Sequence, residues 1–321
     1  MAVYTQVSAE ALAALLARYD AGTLVSAKGI AEGVENSNFL VETSNDRFIL
    51  TLYEKRVDAA DLPFFLALLD HLADKGLAVP RALRDRDGIQ LQTVAGRPAC
   101  LIEFLRGVSV SRPTPAQAGA AGRALGAMHA ALVDFDGVRP NSLGQDGRRA
   151  LAERCGAALD EIAAGLGTRV AEEIAWLDTN WPTGLAEAVI HADLFPDNVL
   201  MLGDEVTGLI DFYFACRDIR AWDLAVTHAA WCFDNEGIHF AADCGAALIA
   251  GYQESFGLTD EERAAFPALA RGACLRFLLT RAWDWLNTPA DAMVTRKDPL
   301  AFLRRLDFYA SADPAMLVPV R

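Results

Sequence analysis

The stretch His191-Ala192-Asp193-Leu194-Phe195-Pro196-Asp197-Asn198 decides how this 321-residue chain is read. It sets a carboxylate, Asp193, five residues before a neutral amide, Asn198, with a histidine two residues ahead of the carboxylate. Thirteen residues beyond Asn198, the apolar run Gly208-Leu209-Ile210 ends in Asp211-Phe212. Each residue type answers a need of phosphoryl transfer to a hydroxyl. One carboxylate must accept the proton of the attacking group. An amide oxygen ligates a divalent cation without placing a second charge beside that base, and an aspartate at a strand end supplies the other ligand. Singly, His191 reads as a packed core histidine and Asp193 and Asn198 as turn residues. Together, at this spacing, they read as a catalytic loop.

The chain on either side differs in character. Upstream, short strand-like runs alternate with turn signals: Thr23 to Ile30, a glycine-containing turn from Gly29 to Ser37, then a hairpin of Asn38 to Thr43 and Phe48 to Tyr53 across Ser44-Asn45-Asp46. Asp58 caps a helix running to about Lys75, closed by Gly76. Two more strands, Ile89 to Val94 and Pro98 to Phe104, flank Ala95-Gly96-Arg97. Beyond Arg106-Gly107, helical periodicity dominates, over Thr114 to Val133, Arg148 to Leu166, Arg220 to Phe233, Ile238 to Phe256, Thr259 to Asn287 and Pro299 to Tyr309. The strand-rich interruption, Ala188 to Phe214, holds the catalytic stretch. This pattern predicts an α+β fold of two lobes: residues 1–106, a small antiparallel sheet with one helix, and residues 107–321, larger and mainly helical.

Composition narrows the partners. A net charge of −14 and a pI near 4.8 argue against nucleic acid, whose phosphates need clustered Lys and Arg. No window holds the roughly 18 uninterrupted apolar residues of a membrane span, and the amphipathic start with its cap at Ser8 does not read as a signal peptide. Six scattered cysteines without a close pair read as buried, reduced thiols of a cytoplasmic protein. The expected partner is a small molecule, acting on a monomer or homodimer.

The same motif set resembles the aminoglycoside phosphotransferase/choline kinase superfamily, which has the protein-kinase fold and an I-D-[FW] step where protein kinases carry D-F-G. Tyr213 stands where their glycine would be. Within that superfamily the chain is most similar to the bacterial homoserine kinases. The likeness is carried by Glu32-Gly33-Val34-Glu35-Asn36-Ser37-Asn38-Phe39, Phe48-Ile49-Leu50-Thr51-Leu52-Tyr53-Glu54, Asp61-Leu62-Pro63-Phe64-Phe65, His191 to Phe195 and Leu275-Arg276-Phe277-Leu278-Leu279-Thr280-Arg281. The resemblance implies ATP and Mg²⁺ as cofactors, with Asp193 as base and Asn198 and Asp211 as metal ligands. It also implies a hinge over Ala99 to Leu105, whose backbone from Glu103 to Leu105 bonds the adenine edge, and L-homoserine phosphorylation on the way to threonine. Sister groups share the catalytic residues, so choline, an aminoglycoside or methylthioribose stand beside homoserine as acceptors. A nucleotide-binding module that has lost catalysis is a further reading.

Other candidates follow from position. Gly29, Gly33, Asn36, Ser37 and Asn38 lie where a phosphate-covering loop belongs. The third-strand position of the protein-kinase lysine falls at Thr51, and Lys28 is better placed than Lys55 to substitute for it. An amino-acid acceptor needs a cation for its carboxylate and an acid for its ammonium. Arg220 with Asp223, and Arg281 with Asp284, are the pairs available.

Overall fold

The structure, a computed structural model, describes residues 5–30, 36–54, 57–288 and 296–319. They fall into two compact units that meet in sequence at Arg106 and Gly107. In the first, helix α1 (Ala9–Leu16) is capped by the Ser8 hydroxyl, which accepts from the Ala11 amide. Strands β1 (Leu24–Gly29), β2 (Asn36–Thr43) and β3 (Arg47–Tyr53) follow, then helix α2 (Leu62–Asp74) and strands β4 (Gln92–Val94) and β5 (Arg97–Glu103). The sheet is five-stranded and antiparallel, in the order β1-β2-β3-β5-β4. Alternation divides its residues between two faces. Phe39, Val41, Leu50, Leu52, Ala99 and Leu101 pack with Leu12, Leu15 and Leu16 of α1. Lys28, Asn38, Thr51 and Cys100 share the opposite face, through the pairings Lys28↔Leu40, Asn38↔Thr51 and Thr51↔Cys100. Two boundaries differ from expectation. Asp58 caps a short 3₁₀ turn ahead of α2, and the strand expected from Ile89 begins only at Gln92, because the Asp85 carboxylate accepts from the Ile89 amide at 2.9 Å.

The second unit contains α3 (Pro115–Ala131), α4 (Gln145–Cys155), α5 (Leu159–Ile162), α6 (Leu166–Asn180), β6 (Glu187–Ile190), β7 (Val199–Leu202), β8 (Glu205–Leu209) and β9 (Cys216–Ile219). Then come α7 (Arg220–Trp231), α8 (Ala242–Ser255), α9 (Asp260–Asn287), α10 (Leu300–Ser311) and α11 (Pro314–Leu317). Capping boxes start α3, at Thr114 and Gln117, and α9, at Thr259 and Glu262. The helix expected from Arg148 to Leu166 is broken at Gly156, whose φ of +51° ends α4. Helix α6 was not expected at all. Its inward positions are Leu166, Val170, Glu173 and Leu177. Glu173 hides the period, being a carboxylate that Arg271 (2.7 and 2.8 Å) and Arg169 (3.0 Å) make tolerable in the interior. The start of α8 is later than expected, since Asp234 accepts from the Ile238 and His239 amides and folds them into a turn.

Helices α3 and α8 pack backbone against backbone. A Cβ at Gly122 would collide with the Leu248 carbonyl oxygen, and one at Gly251 with that of Gly119. This contact seats His129, near the end of α3, against Tyr252 of α8 at 2.9 Å. All six cysteines are free and buried. Among the described residues no helix is long and apolar enough to cross a membrane.

Gly122→Ala is expected to destabilise the second unit by roughly 1–3 kcal/mol through overpacking. All six tryptophans of the chain lie in that unit, so a urea titration followed by tryptophan fluorescence reads the loss directly; an unchanged midpoint would contradict the close helix approach.

Candidate active site

The catalytic stretch follows β6, which pairs antiparallel with β9, and ends at β7. Its first residues are held by one buried carboxylate. Asp223 of α7 is fully buried, and its oxygens accept from the His191 amide (2.7 Å), the Ala192 amide (2.8 Å) and His129 Nε2 (3.0 Å). Burial alone would raise its pKa; the His129 hydrogen bond, His191 and the backbone donors outweigh that and hold it below the ordinary carboxylate value. The grip keeps Ala192 at φ +63°, a left-handed conformation that costs a non-glycine residue about 1–2 kcal/mol.

His191 locks the other side of the loop. Its Nδ1 accepts from the Asp193 amide at 3.3 Å, so Nε2 carries the hydrogen donated to the Ile210 carbonyl at 3.0 Å. Burial lowers its pKa and keeps the ring neutral. The ring packs on Phe212 at 4.5 Å. His191 therefore braces the loop through both ring nitrogens.

Asp193 is presented with its carboxylate 18% exposed. Asn198 donates Nδ2 to the Asp193 carbonyl (2.7 Å) and to Oδ2 (3.2 Å). Burial pushes the Asp193 carboxyl up to about 6, against the pull of Arg276, Lys297, the Asn198 hydrogen bond and Arg281. Asn198 ends a 3₁₀ turn just before β7, and Asp211 follows β8. The β7–β8 hairpin closes with Val199 opposite Leu209, and the Ile210 amide donates to the Asn198 carbonyl at 3.0 Å. Thirteen residues of sequence separation are thus folded into adjacency. Asp211 itself sits at φ +65°. The Asn198 amide nitrogen is spent on Asp193, and its Oδ1 accepts nothing among the described residues. Amide oxygen and carboxylate are both hard oxygen donors. Among the described residues no cluster of three or more His, Cys, Asp or Glu forms a self-sufficient metal cage.

One residue of the site went unrecognised in the sequence. Arg276 of α9 is 2% exposed, donates Nη1 to the Ala192 carbonyl and places Nη2 3.5 Å from Asp193 Oδ1. Its guanidinium stacks on Phe277 at 4.2 Å. Nothing in the run Leu275 to Arg281 separates it from an ordinary helix-face arginine; only the approach of α9 to the loop does.

Several expected residues act elsewhere. Arg220 donates to Glu262 Oε1 at 2.6 Å and stacks on Phe256, tying the start of α7 to the capping box of α9. Asp223 holds the catalytic loop, with its oxygens taken by that loop and by His129. Both are engaged within the fold, and they do not pair with each other. Asn36, Ser37 and Asn38 belong to β2, and their side chains are committed within the sheet. The Glu54 amide reaches Asn36 Oδ1 at 3.4 Å, Ser37 Oγ donates to Glu54 Oε1 at 2.7 Å, and Thr51 donates to Asn38 Oδ1 at 2.8 Å. Those bonds take the Asn36 and Asn38 amide oxygens and the Ser37 hydroxyl, and the phosphate role of the three residues stays an expectation of the sequence. Gly29 ends β1 in an exposed position. Gly33 and Lys55 lie outside the described residues. Lys28 is exposed on the Thr51 face of the sheet. Glu103 ends β5 and pairs with Phe48. Leu105, two residues on, makes no main-chain hydrogen bond among the described residues. Arg281 and Asp284 lie on α9, both partly buried.

The chain belongs to the phosphotransferase enzyme family, whose sequence pattern matches residues 26–266. A homoserine kinase of Zymomonas mobilis is 58% identical over 314 residues, covering 97% of this chain and 98% of the relative. One from Azorhizobium caulinodans is 53% identical over 315 residues, covering 98% of each. Among solved structures, an amicoumacin kinase in complex with AMP-PNP and Ca²⁺ superposes with a TM-score of 0.72 at 13% identity, covering 97% of this chain and 95% of that one. A microcompartment-associated aminopropanol kinase superposes at 0.71 and 20% identity, covering 97% and 99%. These two show the shared kinase-like fold.

Asp193→Asn is expected to lower turnover about a thousandfold, with ATP affinity by calorimetry close to that of the unsubstituted enzyme; equal turnover would remove Asp193 as the base. Asp223→Asn replaces one of the two acceptor oxygens with a donor that faces a loop amide hydrogen, and should cost roughly 3–5 kcal/mol of stability together with at least tenfold in kcat, read by denaturation and steady-state assay.

Proposed function

We propose that this protein is an ATP:L-homoserine O-phosphotransferase, forming O-phospho-L-homoserine for threonine biosynthesis in the cytoplasm. What carries the reading is identity above one half to homoserine kinases over nearly the whole chain, set on a loop whose carboxylate and amide stand ready for phosphoryl transfer.

Asp193 orients the acceptor hydroxyl and takes its proton as the hydroxyl oxygen bonds to the γ-phosphorus of ATP. The bond from that phosphorus to the β–γ bridging oxygen breaks, ADP departs, and the proton passes from Asp193 to solvent. Asn198 and Asp211 would hold Mg²⁺, for which their donor atoms, a neutral amide oxygen and a carboxylate, are suited. Bound there, the metal would neutralise charge on the phosphate oxygens. Asn198 thereby has two roles, steadying Asp193 through its nitrogen and ligating through its oxygen. The Glu103 and Leu105 backbone bonds the adenine edge, a role supported by the unengaged main chain of Leu105. With Thr51 bonded to Asn38, the phosphate charge is met without a third-strand lysine, and Lys28 is the substitute on that face of the sheet.

In a coupled ADP-release assay with Mg-ATP, L-homoserine should give saturable turnover, with kcat/KM at least about a hundredfold above choline, methylthioribose and kanamycin. Turnover on one of those and none on homoserine would overturn the acceptor and keep the chemistry.

A further inference from the structure

Three cations stand at the Asp193 loop: Arg276, Lys297 and Arg281, the last through its stack on Phe302, whose ring lies 6.0 Å from that of Phe195 in the loop. Two are already committed. Arg276 is 2% exposed and engaged with Ala192 and Asp193 itself. Lys297 is 60% exposed and paired with Asp197 at 3.2 Å.

Arg281 differs from both. It lies on α9 five residues past Arg276, and its guanidinium stacks on Phe302, 4.5 Å from the ring centre. Nη1 donates to the Asp298 carbonyl at 3.1 Å, while Nε and Nη2 carry no hydrogen bond among the described residues. A guanidinium tethered at one corner and stacked on a ring keeps its orientation, and its Nε/Nη2 edge is a two-donor fork that matches a carboxylate. Burial, with Arg305 adding to it, lowers the Arg281 pKa to about 10, opposed by Asp298, Asp193 and Asp197. An anion arriving at the fork would relieve that desolvation.

We propose that Arg281 is the residue that selects an amino-acid acceptor, its Nε/Nη2 edge binding the substrate α-carboxylate while the substrate hydroxyl reaches Asp193. This rests on the homoserine reading and deepens it. A homoserine molecule has its hydroxyl and carboxylate at opposite ends of a short chain, so two fixed anchors define its pose. Neutral alcohols and amino alcohols lack one anchor, and discrimination against them follows from a fork left without its anion.

The test compares the full-length enzyme with Arg281→Met and Arg281→Lys. The acceptors are L-homoserine and 3-aminopropan-1-ol, which is homoserine without its carboxylate. L-2-aminobutyrate, homoserine without its hydroxyl, serves as a competitive inhibitor. Arg281→Met should lower kcat/KM for homoserine about a hundredfold, mostly through KM. It should lower that for 3-aminopropan-1-ol far less, so the preference between the two acceptors collapses. Inhibition by L-2-aminobutyrate should weaken in parallel, and Arg281→Lys should recover part of both. Equal losses on the two acceptors, or a raised KM for ATP, would overturn the proposal by giving Arg281 a structural or phosphate-binding role. So would undiminished L-2-aminobutyrate inhibition. Failure of the homoserine reading shows separately, as an unsubstituted enzyme inactive on homoserine.

Discussion

The amides of His191 and Ala192 converge on the carboxylate of Asp223, and the geometry of the site depends on that grip. An ionised carboxylate can only accept, and burying one is costly unless donors surround it. Here the donors come from two places, the catalytic loop and His129 of α3, so satisfying one charge fixes the loop against two helices at once. The chain of contacts extends to Tyr252 of α8, and that distance is set by glycines that let α3 and α8 meet at backbone range. Helix packing far from the chemistry is in this way transmitted to the orientation of the base.

On its other flank the loop is bound by Arg276, which takes the Ala192 carbonyl while Asp223 takes the Ala192 amide. A residue in the left-handed region held from both sides is over-determined, as strained residues at functional sites must be. Asp211, the other strained position beside Asn198, is fixed by the β7–β8 hairpin and by the Ile210 contacts to Asn198 and His191. The two strained positions flank Asp193 and Asn198 in sequence.

An acidic chain that handles phosphate and a carboxylate must place its few cations with care. Several arginines of the second unit stack on aromatic rings, Arg276 on Phe277, Arg281 on Phe302 and Arg271 on Trp176 among them. Stacking covers the weakly hydrated faces of the guanidinium and leaves the in-plane donors to act. A lysine could not be held so, which is a physical reason why Arg276 and Arg281 stand where they do around Asp193.

The spacing from His191 to Asn198, followed by Asp211, was enough to propose a base and two oxygen ligands, because that chemistry tolerates few residue types at few separations. Short strand-like runs separated by turn signals before Arg106, and helical periodicity beyond Gly107, were enough for the α+β class, since those signals are local to each element. Where a core position carried a charge, as at Glu173 in α6, the periodicity failed, because the two-pronged partner that neutralises it, Arg271, comes from far along the chain. The same reason hid the work of Asp223 and Arg276. A polar side chain looks available in sequence until the fold supplies its partner. The sequence by itself determined the α+β class and singled out Asp193, Asn198 and Asp211 as the candidate groups. Only the tertiary structure decided which polar groups are spent on holding them, because hydrogen bonds and burial are made between residues far apart in the chain.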